Sequence, residues 1–248
     1  MLKTFKSLLI LLIFLGLLSC EKFFELEDPY EEVIADEVLS IKPANDGDTL
    51  AMVADGLDFR MFKVTLGDRA EPDQTVMLST NLGVLTQVPT TDTSAATTEL
   101  ELLIKSREAE FIYTAPLDFD RDILISAELQ EIVQTVAIGV QAAFPDSLYL
   151  TASSFESNVS QDVTVTCNFL RSVGTTSNGL EVIFEQLSPP VSDDTVKVNF
   201  APIALSNEGK ASVILDNIND STGVVTLRAS HASEGLLLAD TVSIVFTK

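Results

Sequence analysis

The chain has 248 residues, with 15 Lys and Arg against 37 Asp and Glu, and a formal net charge of −22. So acidic a chain argues against nucleic acid as a partner, because phosphate binding requires clustered cations. The inventory of no Trp, one His and two Cys also argues against zinc clusters, disulfide scaffolds and histidine-based catalysis, and we expect no cofactor.

The N-terminal residues predict an export signal that ends in a lipidated cysteine. The apolar run Leu8–Leu18 is 11 residues long, whereas a membrane-spanning helix needs about 20. The sequence Leu17-Leu18-Ser19-Cys20 resembles the lipobox of bacterial lipoproteins, in which the cysteine is acylated. We therefore expect a signal peptide over residues 1–19 and a lipid anchor to the membrane at Cys20; a plain secretory signal is the alternative.

Residues 20–44 are predicted to form an acidic stalk behind that cysteine. Eight acids and one Lys lie between Glu21 and Ser40, and a segment of like charges repels itself and stays extended. A plain tether is the favoured interpretation, although apolar side chains such as Phe23 and Phe24 could pack against a partner or against the first domain. The acids directly after the cysteine favour sorting to the outer membrane, and the face on which the protein is displayed stays open.

From residue 45 onward, apolar and polar residues alternate in short runs. In Val163–Phe169 the valines, Cys167 and Phe169 share one face, which is typical of a half-buried strand. Similar runs occur at Phe62–Leu66, Thr75–Ser79, Ile123–Ala127, Val133–Ile138, Leu180–Phe184, Ala211–Leu215, Val224–Ala229 and Thr241–Phe246. Glu99–Lys105 could form a helix, but its flanks favour a strand. These short, regularly spaced runs predict an all-β sandwich fold.

A weak internal repeat divides this part of the chain. The run Ile132–Ile138 has an echo in Asp240–Phe246, about 100 residues later. Two units of that size suit two tandem β-sandwiches, each large enough to bury a core. We place the domains at residues 45–144 and 145–248, with the boundary near Pro145, which has no N–H for a central strand.

Three motifs connect these units to a known family. Ala54-Asp55-Gly56 precedes a strand, Leu82-Gly83-Val84-Leu85 follows a later turn, and the second unit contains Gly209-Lys210-Ala211 ahead of Leu215. Together they resemble the invasin/intimin-type bacterial Ig-like domain, group one of the Big family. Each unit carries only part of this signature. The resemblance implies Ig-like sandwiches and a cell-surface or envelope role, and it implies no catalytic residues.

Two residues outside these motifs have side chains that can take part in catalysis. His231 is the one histidine, and we expect it in an exposed loop after the strand Val224–Ala229, without a catalytic role. Alternation places Cys167 inward, so we expect a small buried hydrophobic side chain rather than a reactive thiol or a disulfide. The chain is accordingly predicted not to be an enzyme.

Calcium and carbohydrate remain as possible ligands. Asp118, Asp120 and Asp122 alternate as calcium ligands often do, although the glycine and glutamate of an EF-hand loop are missing. Sugars stack on exposed aromatic rings, and without Trp this role falls to tyrosines such as Tyr113 and Tyr149, both in predicted strands. Neither ligand is strongly indicated.

Taken together, these features predict a non-enzymatic lipoprotein of the cell envelope that presents Ig-like domains for adhesion or for structural contacts at the surface. A periplasm-facing accessory subunit of an outer-membrane complex, or a glycan- or calcium-dependent binding module, is the alternative. The partner protein is not identified by any motif in the chain.

Overall fold

A computed structural model of the chain describes residues 35–45, 47, 50–88, 97–187 and 196–248. The predicted signal peptide, Cys20 and most of the predicted stalk lie outside the described residues. Strands make up 62% of the structure and helix 1%, the latter a single 3₁₀ turn at Ala35–Glu37. No helix among the described residues is long and apolar enough to cross a membrane.

The first sandwich contains nine of the described strands in two sheets. Their bounds are β1 Leu39–Pro43, β2 Ala51–Ala54, β3 Phe59–Leu66, β4 Gln74–Thr80, β5 Val84–Gln87, β6 Glu99–Ile104, β7 Glu108–Thr114, β8 Ile123–Leu129 and β9 Ile132–Ala142. One sheet has the order β1-β3-β7-β5, and the other has the order β2-β9-β8-β4-β6. All neighbours are antiparallel except β2 and β9, which run parallel.

The second sandwich repeats this arrangement strand for strand. Its described strands are β10 Ser147–Ala152, β11 Glu156–Asn158, β12 Val163–Leu170, β13 Glu181–Gln186, β14 Val198–Asn199, β15 Ile203–Leu205, β16 Lys210–Asn217, β17 Gly223–Ser233 and β18 Leu236–Thr247. The sheets have the orders β10-β12-β16-β14 and β11-β18-β17-β13-β15, so each strand takes the place of the one nine positions earlier. The predicted tandem all-β fold is confirmed.

Alternation explains why these segments are strands. In β16 every second residue is buried, because Ala211, Val213 and Leu215 face the core while Lys210 and Ser212 face water. Every run predicted as a strand coincides with a strand, to within one residue at Leu180, and Glu99–Ile104 is a strand rather than a helix. Its burial pattern has the period of two that a half-buried strand requires.

Each sandwich has its own hydrophobic core. The first cluster extends from Val38 to Ile138 and the second from Leu150 to Phe246. The first sandwich begins earlier than residue 45, because Leu39 and Ile41 of β1 are buried in its core. Residues assigned to the end of the stalk are therefore the first strand of this domain.

Candidate functional site: the junction between the sandwiches

The two sandwiches meet end to end, where one end of the first contacts the loop that follows β12 in the second. The first sandwich contributes the turn after β2, the loop between β7 and β8, and the segment after β9. Phe119 of the β7–β8 loop, Ala142 at the end of β9 and Phe144 just after it pack against the core of the second sandwich. The two sandwiches are therefore connected by apolar packing as well as by the continuous chain.

Asp55 lies at the centre of this junction and belongs to the Ala54-Asp55-Gly56 motif. Its Oδ1 accepts hydrogen bonds from the backbone N–H groups of Leu57 and Asp58, at 2.8 and 2.7 Å. These two bonds close the turn within the first sandwich. Its other carboxylate oxygen, Oδ2, lies 2.9 Å from Nη1 of Arg171 in the second sandwich. One carboxylate thus stabilises its own turn and pairs with the neighbouring domain.

The ion pair is well shielded from water. The side chains of Asp55 and Arg171 are 7% and 21% exposed. Burial raises the pKa of Asp55, but the hydrogen bonds from Asp58, Leu57 and Arg171 outweigh it and hold this pKa below its ordinary value. The carboxylate is therefore ionised at neutral pH and attracts the guanidinium across the junction.

Close backbone contact surrounds this pair. The N–H of Thr175 donates to the carbonyl oxygen of Asp55 at 3.0 Å. Gly174 lies so near that a Cβ at this position would be 2.8 Å from Cβ and Cγ of Asp55. Its φ of +72° is also one that only glycine adopts readily. Position 174 therefore favours glycine twice, because its backbone conformation suits glycine and because a Cβ would clash with Asp55.

Ser177 forms a second cross-link that is fully buried. Its hydroxyl donates to the carbonyl oxygen of Ala54 at 2.8 Å and accepts from the N–H of Ala143 at 2.7 Å. The N–H of Ser177 also donates to the carbonyl oxygen of Ala143, at 3.1 Å. One serine thus binds two segments of the first sandwich through three hydrogen bonds.

The acidic triplet proposed for calcium is divided by the structure. Asp118 accepts a hydrogen bond from Nδ2 of Asn178, at 3.0 Å, whereas Asp120 and Asp122 are exposed. Within the described part of the chain, no three His, Cys, Asp or Glu side chains are placed to hold a metal ion. Asp118 therefore contacts the second sandwich at the junction, whereas the carboxylates of Asp120 and Asp122 do not join it there.

His231 was predicted in an exposed loop, and this prediction is wrong. Strand β17 continues to Ser233, so His231 is buried in it, with its ring centroid 5.2 Å from that of Phe169 and 6.2 Å from that of Phe144. Its Nδ1 lies 2.7 Å from the carbonyl oxygen of Glu181. The prediction failed because serines such as Ser230 and Ser233 are common in loops, whereas here they lie in β17 and pair with β18.

Cys167 is buried, as alternation predicted, and it forms no disulfide. Burial, and next the charge of Asp240, raise the pKa of its thiol to about 12. The thiol therefore stays protonated at neutral pH and is a poor nucleophile.

Sequence reasoning identified Asp55 as part of a motif but missed its partners in the second sandwich. Arg171, Ser177 and Asn178 all lie in the loop Arg171–Gly179, which is rich in Ser, Thr and Gly. Such composition predicts a loop and does not reveal that the loop is an interface. The one available signal is the position of an arginine at the start of this loop, in a chain with few cations.

Comparison with known proteins finds similarity in fold to solved structures. No family model matches the chain, and no curated protein matches it. Among solved structures, the adhesin InvE of Yersinia pseudotuberculosis matches 87% of this chain and 60% of its own, at 18% identity and a TM-score of 0.51. The bacterial integrin-binding protein invasin matches 85% of this chain and 39% of its own, at 20% identity and a TM-score of 0.52.

This chain thus spans about three fifths of the InvE structure and two fifths of that of invasin. At such identities the likeness concerns the fold. The two sandwiches of this chain have the tandem Ig-like fold found in invasin and in the adhesin InvE, as their motifs predicted.

Proposed function

We propose that the chain is a non-enzymatic, lipid-anchored protein of the outer membrane, whose two sandwiches form a stiff unit that presents its far end for adhesion or structural contact. The observation that carries this proposal is the junction. An ion pair, a doubly bonded buried serine and aromatic packing hold the two domains in one arrangement. A spacer needs this property, because a loose linker would let the second domain fold back toward the membrane.

The direction of the chain supports this arrangement. β1 starts at the end of the first sandwich that is remote from the junction, and β18 finishes at the end of the second sandwich that is remote from it. A lipid at Cys20 would therefore hold the near end, and the loops beside Asn158 and Asn217 would lie farthest from the membrane. At this far end Phe155, Ile218 and Val224 are exposed, and exposed apolar side chains suit a protein contact.

The fold itself also supports a binding role. InvE is an adhesin and invasin binds integrin, and both are similar to this chain in fold. The imidazole of His231 and the thiol of Cys167 are both buried, so neither is exposed to act on a ligand. Contact through loops and exposed side chains needs no such group.

Immunolabelling of intact cells tests the display. An antibody against residues 146–248 should label intact cells that carry the wild-type chain, and external protease should remove the signal. A Cys20→Ser variant should lose both the label and its membrane association, because the anchor is missing. Labelling that requires a permeabilised outer membrane would contradict surface display and would favour the periplasm-facing accessory subunit.

Adhesion is tested separately with surface variants at the far end. We expect cells carrying the double variant Phe155→Ser and Ile218→Ser to adhere or aggregate less than wild type at equal surface labelling. Leu103→Ser is the matched control, because Leu103 is a comparably exposed apolar side chain (50%) on the first sandwich. Equal loss in both variants would show that the far end has no special role.

A further inference from the structure

A cleft of about 300 Å³ opens beside the junction on the second sandwich. Its wall includes the ends of β10, β12 and β16, the loop after β12 and the turn before β16. The side chains that matter for its chemistry are Tyr149, Asn168, Thr176, Glu208 and Lys210. The volume is at the lower limit of small-molecule sites, which suits a ligand of one or two rings.

Strand register places three of these side chains in a row. Tyr149 of β10 is opposite Asn168 of β12, and Asn168 is opposite Lys210 of β16. All three point away from the core, because their neighbours Leu150, Cys167 and Ala211 are buried. Directly opposed side chains have Cβ atoms about 5 Å apart. An aromatic ring, an amide and an ammonium group therefore line one side of the cleft.

Tyr149 has the exposure that ligand stacking requires. It is 43% exposed, whereas Tyr113, the other tyrosine among the described residues, is fully buried. Next to it the amide of Asn168 is held in place, since its Nδ2 donates to Oγ1 of Thr151 at 3.1 Å. The platform and its nearest polar neighbour are thus preorganised by the sheet.

The opposite side of the cleft adds further polar groups. Thr176 is 2% exposed, and its hydroxyl has no hydrogen-bond partner among the described residues. The turn that carries Glu208 is fixed, because the N–H of Glu208 donates to Oδ1 of Asn178 at 2.9 Å. The cleft is therefore bordered by the buried hydroxyl of Thr176 and by a fixed turn that carries the exposed side chain of Glu208.

We propose that this cleft binds a neutral saccharide, with a pyranose ring stacked on Tyr149 and its hydroxyls bound by Asn168, Lys210 and Glu208. A sugar has an apolar C–H face and a rim of hydroxyls, which matches an exposed aromatic ring surrounded by donors and acceptors. A neutral ligand fits better than an anion, because Arg171 is paired with Asp55 and the charge of Glu208 opposes that of Lys210.

A peptide added as a further strand fits this place less well. β10 is at the edge of its sheet, but the N–H of Leu150 already donates to Oδ2 of Asp240, at 2.8 Å. Strand addition depends on free backbone groups along such an edge. The proposal does not depend on surface display, since the cleft is formed by the second sandwich and the junction alone.

Saturation-transfer NMR on residues 21–248, which contain both cores, tests the proposal. The probes are glucose, galactose, mannose, N-acetylglucosamine, lactose and cellobiose. We expect at least one to bind with a dissociation constant on the order of 1 mM or lower. Tyr149→Ala should weaken that binding about tenfold or more, and Tyr149→Phe should retain it, because the stacking ring is unchanged.

Phe59→Ala is the matched control, because it removes an aromatic ring that is 57% exposed on the first sandwich and does not line the cleft. It should leave binding unchanged, and circular dichroism should show that each variant is folded. Failure of the whole panel to bind, or equal binding by the folded Tyr149→Ala variant, would overturn the proposal. Glucuronate and N-acetylneuraminate are added as charged probes. Binding limited to these two that depends on Lys210 but not on Tyr149 would overturn the proposal in favour of an anion site.

Discussion

The Asp55 carboxylate and the Arg171 guanidinium lie 2.9 Å apart across the boundary between the two sandwiches. The same carboxylate also accepts the N–H groups that close the turn after β2. The position of the second domain is therefore coupled to the conformation of a turn in the first. Asp55 belongs to a motif that the second unit lacks, and there the corresponding turn, Val159–Asp162, faces away from the junction.

Asp55→Asn should loosen the junction while both sandwiches stay folded. An amide keeps an acceptor for the turn but removes the negative charge facing Arg171, which should cost about 1–3 kcal/mol of junction stability. Spin labels at Glu101→Cys and Glu185→Cys, one on each domain, should give a broader distance distribution. Asp58→Asn is the control, because Asp58 pairs with Arg60 at 2.7 Å inside the first sandwich. Equal broadening in both variants would contradict the assignment.

The same pair predicts an effect of acid. Because the pKa of Asp55 is lowered in the folded protein, its contribution is complete above the unfolded value of about 3.9 and is lost as pH falls through the folded value. The distance distribution should therefore be constant from neutral pH to about pH 5 and broaden below about pH 4. In Asp55→Asn this step should be absent. An identical pH profile in both proteins would show that other carboxylates control the junction.

Gly174→Ala should separate the domains through a steric clash. A Cβ there would lie 2.8 Å from Asp55, whereas a Cβ at Gly179 would meet nothing within 4 Å. The φ values of +72° and +79° are nearly equal, so both alanines bear a similar backbone cost of about 1–2 kcal/mol. The difference in urea midpoint between the two variants then reports the clash alone. We expect Gly174→Ala to be the less stable, with a broader interdomain distribution.

Ser177→Ala should uncouple the unfolding of the two sandwiches. It removes two buried hydrogen bonds to the first sandwich and leaves the carbonyl of Ala54 and the N–H of Ala143 without their partner, at a cost of about 1–3 kcal/mol. Ser206→Ala removes two similar bonds, to Ser177 and Leu180, within the second sandwich. Calorimetry should show two separated transitions for Ser177→Ala. Ser206→Ala should lower only the transition of the second domain.

Cys167 should be inert until its sandwich unfolds. Its thiol is fully buried with a pKa raised to about 12, so a thiol reagent at pH 8 should label residues 21–248 only at the rate of unfolding. In urea, labelling should be complete and fast. The stability of the second domain should also decline above the unfolded thiol pKa of about 8.5, because only the unfolded chain ionises there. Rapid labelling in buffer would contradict the buried placement.

Much of the fold could be predicted from local patterns. Alternation in β12 and β16 determines which face is buried, since a strand that exposes Val163 or Leu215 to water loses hydrophobic stabilisation. The run Glu99–Ile104 was recognised as a strand for the same reason. Alternation also placed Cys167 in the core. His231 was misplaced because a long hairpin extends its strand pairing beyond what short-range composition indicates.

The sequence by itself thus determined the strands, the repeat of about 100 residues and the inward position of Cys167, because each depends on neighbouring residues along the chain. Only the tertiary structure decided that Asp55 meets Arg171, 116 positions away. It also decided that Asp118 contacts Asn178 rather than a neighbouring carboxylate, and that Tyr149 lines a cleft. These contacts depend on how the two folded domains pack together. The amino-acid composition of the loops predicts that they are loops, but it does not predict which loops come into contact.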